Sequence, residues 1–131
     1  MEIRLLVIRS ENPKQIADFY SLLNLKFDYH KHGNSPMHYS AQIGTLILEI
    51  YPLSKNQIEV DKTLRLGFAI ENFENVLDEL RTNNIKMTEP TLTEFGYVTI
   101  LTDPEGRKVE LYKKLCDYEN SSNIRFIRTR R

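Results

Sequence analysis

Hydrophobic and polar positions along the chain follow two alternating periods. "IRLLVI", residues 3 to 8, is aliphatic and β-branched and predicts a strand. In "ENPKQIADFYSLLNL" the apolar residues Ile16, Phe19, Tyr20 and Leu23 recur at helical spacing, which predicts an amphipathic helix. Asn12 supplies its N-cap, Pro13 its first residue, and Gln15 stands three positions after the cap. Three further strands are predicted at "KFDYHK", "MHYSAQI" and "LILEIY", separated by "HGNSP" and by "GT".

The same order then recurs. "LRLGFAI" (64 to 70) predicts a strand, Asn72 a cap, and Phe73, Val76, Leu77 and Leu80 a helical stripe that "NN" ends. "IKM", "YVTIL" and "KVELY" follow as strands, with "TEPTLTEFG" as a loop and "DPEG" as a type I turn. A shift of 60 residues lays Glu11-Asn12 on Glu71-Asn72, Ile16 on Val76, and Asn24-Leu25-Lys26 on Asn84-Ile85-Lys86. A shift of 61 lays "LEIY" (48 to 51) on "VELY" (109 to 112). Agreement in order, spacing and identity marks an internal duplication of a βαβββ module. Module one spans residues 1–56, module two 57–115, with a polar linker at 53–63 and a tail at 116–131; the whole is expected to be a single domain.

Composition narrows the function classes. Eighteen basic and eighteen acidic residues cancel, so no global field draws the protein to nucleic acid or an anionic membrane. Only the end is unbalanced: "RFIRTRR" carries four arginines and no acid, the pattern of a solvated terminus or of a contact to an acidic partner. A lone cysteine, Cys116, excludes an intramolecular disulfide and fits a reducing compartment. No stretch approaches the roughly 20 apolar residues of a membrane span, and "MEIRLLVIRS" is too short and charged for a secretory signal. A cytoplasmic protein is expected.

All three histidines, His30, His32 and His38, fall within nine residues. A two-residue Gly44-Thr45 turn pairs Ala41 with Leu48, Ser40 with Glu49 and His38 with Tyr51. His38, Ser40 and Gln42 then share a face with Glu49, while Met37, Tyr39 and Ala41 take the other. The direction of His30 and His32 depends on the preceding loop. A four-residue loop, Gly33 to Pro36, pairs Lys31 with His38 and leaves His30 and His32 on the opposite face, and a loop one residue longer brings His32 across from His38 and gathers three imidazoles. Histidines at a polar hairpin tip are otherwise solvated. There is no Gly-rich phosphate loop, Cys-x-x-Cys or Gly-x-Ser-x-Gly.

"NPKQIADFYSLLNLKF" and "LTDPEGRKVELY" resemble the first helix with its following strand, and the closing hairpin, of the vicinal oxygen chelate superfamily, which includes glyoxalases, bleomycin-resistance proteins and extradiol dioxygenases. The resemblance covers residues 3 to 114. It implies an α+β fold in which the two modules form a curved, cup-shaped mixed sheet with helices on the convex side, and a homodimer. It also implies a divalent metal held by the first and last strand of each module. The last-strand positions fall on Glu49 and Glu110, both able to ligate; the first-strand positions fall on Leu5 and Arg65, which are not. The implied metal site is half dismantled.

Alternation places Tyr51 beside Glu49, Tyr112 beside Glu110, and Arg9 on the face of Leu5. Arg65 then either neutralises the two glutamates in a hydrogen-bonded network or grips an anionic ligand, and Arg65, His38, Tyr51, Tyr112 and Arg9 are the candidate ligand-binding residues. The resemblance implies a small-molecule binder of the bleomycin-resistance kind, here for an anionic organic ligand. Bleomycin itself suits the arginine-bearing, tryptophan-free cup poorly. The alternative is a divalent-metal-dependent lyase, isomerase or dioxygenase using Glu49, Glu110 and His38.

Overall fold

The computed structural model describes residues 1–115 and contains ten elements. The basic tail and Cys116 lie outside the described residues. In order, the elements are β1 (Leu5–Ser10), α1 (Pro13–Ser21), β2 (Asp28–His30), β3 (His38–Ile43), β4 (Leu46–Pro52), β5 (Leu66–Ile70), α2 (Phe73–Thr82), β6 (Thr91–Thr93), β7 (Gly96–Thr102) and β8 (Lys108–Lys113). Two compact units result, one of residues 1–62 with 104–106, the other of 63–103 with 107–115 among the described residues. Each has one helix and one four-stranded mixed sheet, ordered β1-β4-β3-β2 and β5-β8-β7-β6, so the α+β fold of two βαβββ modules is present. No helix among the described residues is long and apolar enough to cross a membrane.

In the first unit β1 runs parallel to β4, and β4-β3-β2 is an antiparallel meander. Asn12 Oδ1 accepts from Gln15 N at 3.2 Å, giving α1 the cap its sequence predicts. Ile16, Ala17, Phe19 and Tyr20 are buried on α1, which packs against β1, β3 and β4. Ile8, Ala41, Leu48 and Ile50 are buried with them, so the inward face of this sheet is apolar, while the other face mixes polar side chains such as Ser40 and Glu49 with Leu5 and Ile47.

The second unit repeats this plan, with Phe73, Val76, Leu77 and Leu80 buried on α2 and Leu66, Leu101, Val109 and Leu111 on the strands. Its helix start departs from expectation. Asn72 sits in the left-handed region at φ +54° and makes no side-chain cap. Asparagine tolerates that conformation, its carbonyl takes the first helical bond from Val76 N, and Glu74 favours the dipole from the first turn.

Two strand expectations are corrected. The segment "IKM" yields only an isolated bridge from Met87 to Leu101, and β6 instead forms at Thr91–Thr93, inside what the sequence suggests is a loop. Thr88 explains the break: its hydroxyl accepts from Ile100 N and its carbonyl from Thr99 Oγ1, so side-chain bonds interrupt the ladder. The segment "KFDYHK" shortens to Asp28–His30, because the chain turns away at His32, whose N–H donates to Ser35 Oγ.

Leu48 and Glu49 are neighbours in sequence on opposite faces of β4. Leu48→Ala is expected to cost about 2–5 kcal/mol in urea unfolding, since Leu48 is fully buried. A loss below about 1 kcal/mol would contradict this face assignment.

Candidate metal centre

The polar face of the first sheet is set by two registers. Ser40 lies opposite Glu49 and Tyr39 opposite Ile50, as the Gly44-Thr45 turn predicts, with Gly44 at φ +60°. One residue further, His38 meets Tyr51, and their rings stack 4.1 Å apart at 10°. On the other side of β3, His30 lies directly opposite His38. The connector is therefore longer than either loop considered from sequence. Its parity nevertheless puts His30 on the face of His38, and His32 follows two residues later.

Three imidazoles and a carboxylate thus converge. The ring centroids of His30, His32 and His38 stand 4.7, 4.8 and 5.2 Å apart. One donor atom from each histidine and from Glu49 lies within 4.8 Å of the others. His38 Nδ1 is 3.0 Å from the Pro36 carbonyl, which can only accept, so Nδ1 carries the proton and Nε2 presents a lone pair. That Nε2 is 3.2 Å from Glu49 Oε2, a contact without hydrogen-bond geometry. The buried Nε2 atoms of His30 and His38 have no hydrogen-bond partner among the described residues. Each such atom costs about 1–3 kcal/mol when left unsatisfied.

These observations fit a metal ion. Two ligands about 2.1 Å from one ion stand about 3.4 Å apart in a tetrahedral set and at most about 4.2 Å in any geometry, so the outermost pair closes by between about half an ångström and about 1.4 Å on binding. Three nitrogens and one carboxylate suit a transition metal rather than calcium or magnesium, which prefer oxygen throughout. Behind His38, Tyr51 is itself covered by Arg9, whose guanidinium lies 4.8 Å from the ring centre and donates to the Pro52 carbonyl. Beside the cluster opens a groove of about 690 Å³, lined in part by Leu5, Ser40, Gln42 and Ile47.

In the second unit the corresponding face has a different chemistry. Glu110 lies opposite Ile100, and Tyr112 opposite Val98. Val98 and Thr91, paired with each other, therefore stand where the first unit has His38 and His30. Glu110 finds other partners: Arg65 Nε donates to its Oε2 at 2.7 Å and Tyr112 to its Oε1 at 2.5 Å. The Tyr112 bond foremost, then Arg65, holds the Glu110 carboxyl below the usual range against partial burial. The same bond raises the Tyr112 phenol, and burial adds to it.

Of the residues singled out from sequence, His38, Glu49, Tyr51 and Arg9 come together in the first unit, and Arg65, Glu110 and Tyr112 in the second. Leu5 lines the groove without a ligating atom. Sequence reasoning left His30 and His32 unplaced; the signal that would have found them is the β2–β3 register, which short strands and a long connector do not reveal.

No family model and no curated protein sequence matches the chain. Solved structures do. A glyoxylase/bleomycin resistance protein/dioxygenase domain from Frankia sp. EAN1pec superposes with TM-score 0.70 at 15% identity, covering 88% of this chain and 98% of that one. TnmS3, an antibiotic binding protein from Streptomyces sp. CB03234, gives 0.70 at 14% identity over 88% and 97%. The oxidase ChaP-H2 gives 0.71 at 13% over 89% and 96%. The chain shares the fold of these glyoxalase/bleomycin-resistance/dioxygenase-like domains.

Because Glu110 is depressed in the folded state, its stabilisation is complete above the ordinary glutamate pKa of about 4.3 and is lost as pH falls through the folded value. Glu110→Gln is expected to lower the urea midpoint at pH 7 and to converge on wild type as pH falls through the folded value. A gap that persists unchanged into acid would contradict this.

Proposed function

We propose that the protein binds a divalent transition metal in its first module through His30, His32, His38 and Glu49, and binds a small organic anion in the adjoining groove. The observation that carries this reading is the convergence of four donors with two buried imidazole nitrogens that lack hydrogen-bond partners among the described residues. Glu49 cancels one of the ion's two charges, which leaves a net positive site that favours an anion. The bound ion would supply Lewis-acid polarisation of the anion's oxygen. The chain's own residues orient and enclose: Pro36 and Tyr51 fix the His38 ring, while Leu5 and Ile47 offer apolar surface. The fold neighbours, an antibiotic binding protein and an oxidase, fit both binding of a small molecule and its conversion.

A second reading places the anion at Arg65. Among the described residues its Nε donates to Glu110, and its side chain is 52% exposed. In that case Arg65→Ala lowers affinity for a carboxylate ligand, whereas a purely structural Arg65 lowers the melting temperature instead.

Calorimetric titration of chelator-stripped protein with Co(II) or Zn(II) is expected to show one ion per chain. His38→Ala should weaken binding by about 100-fold or more, while Glu110→Gln should leave it unchanged. Equal losses in both variants would contradict a centre confined to the first module, and no binding by wild type would overturn the reading.

A further inference from the structure

The four donors are held very unequally. His38 is fully buried on β3, tied through Nδ1 to Pro36 and stacked on Tyr51. His30 sits on β2, directly across from it, with Nε2 buried. Glu49 lies within β4, its side chain only 12% exposed. His32 differs from all three. It stands beyond the end of β2 and starts a turn closed by the bond from Ser35 N to its carbonyl. Its side chain is 68% exposed, and its Nε2 is 4.0 Å from Glu49 Oε2, where that of His38 is 3.2 Å.

We propose that His32 is an exchangeable ligand, and that a small anion entering the groove binds at the position it gives up. This rests on the reading of His30, His38 and Glu49 as metal ligands. A buried ring cannot leave without opening the core, whereas an exposed one rotates about χ1 within nanoseconds and loses little packing. With His32 turned outward, two imidazoles and one carboxylate hold the ion from the sheet side. The side His32 has left faces the groove, where Ser40, opposite Glu49 in register, presents a hydroxyl. The net charge of the remaining set favours an anion over the neutral imidazole it displaces. His32 thus sets the affinity for the anion by competing with it, a role distinct from that of the three fixed ligands.

The competition is measurable without any reaction. In Co(II)-loaded protein the visible d–d spectrum reports the ligand set, and azide serves as the anionic probe. His32→Ala is expected to retain Co(II) with a loss of less than about tenfold, against about 100-fold or more for His38→Ala. If His32 leaves the position open about a tenth of the time, its removal tightens azide about tenfold. His32→Asn, which also lacks the imidazole, should behave like His32→Ala and guards against an effect of lost volume. Loss of Co(II) in His32→Ala as severe as in His38→Ala would make His32 a fixed ligand and overturn the inference, as would azide affinity equal to or weaker than wild type. Failure of wild type to take Co(II) would instead overturn the metal reading beneath it.

Discussion

The pairing of β2 with β3 is the constraint on which the centre depends. Because side chains alternate across a strand, a slip of one residue would turn His30 and His32 to the face of Tyr39 and bring Tyr29 to that of His38. In the register observed, His30 faces His38, and Tyr29 stacks on Tyr39 with ring centres 4.5 Å apart on the opposite face. The aromatic pair and the histidine pair are two consequences of the same three-residue ladder. The β3–β4 register then adds Glu49, and the Pro36 carbonyl fixes which nitrogen of His38 is free.

The two modules show how one backbone plan supports two chemistries. Glu49 and Glu110 occupy equivalent places on their last strands, and Tyr51 and Tyr112 follow each of them by two residues. Where the first module places His38 and His30, the second places Val98 and Thr91, neither of which ligates a metal in this setting. A carboxylate facing that surface still requires a partner. Arg65 and Tyr112 provide it, and both oxygens of Glu110 are engaged. In the first module Tyr51 is free to stack on His38 instead of bonding the glutamate.

Most of the fold was legible in the sequence, because it is written in periodicity. The helical stripes, the Asn12 cap, the order of the strands and the Gly44-Thr45 hairpin all follow from residue spacing and turn chemistry. What was not legible depends in two places on side-chain competition for backbone groups, the ladder broken by Thr88 and the early turn at Ser35, and in a third on the left-handed backbone that Asn72 tolerates. The site was half legible for the same reason. His38 and Glu49 are fixed by a two-residue turn, whereas His30 and His32 follow a long connector whose register only the folded chain specifies.

A centre built within one module from His30, His38 and Glu49 departs from the shared four-ligand site that the family resemblance implies. Crystals grown with Co(II) and measured at the cobalt absorption edge locate the ion directly. The expected result is one anomalous peak bounded by the Nε2 atoms of His30 and His38 and by the Glu49 carboxylate. A peak at Glu110, or none at the histidine cluster, would contradict it.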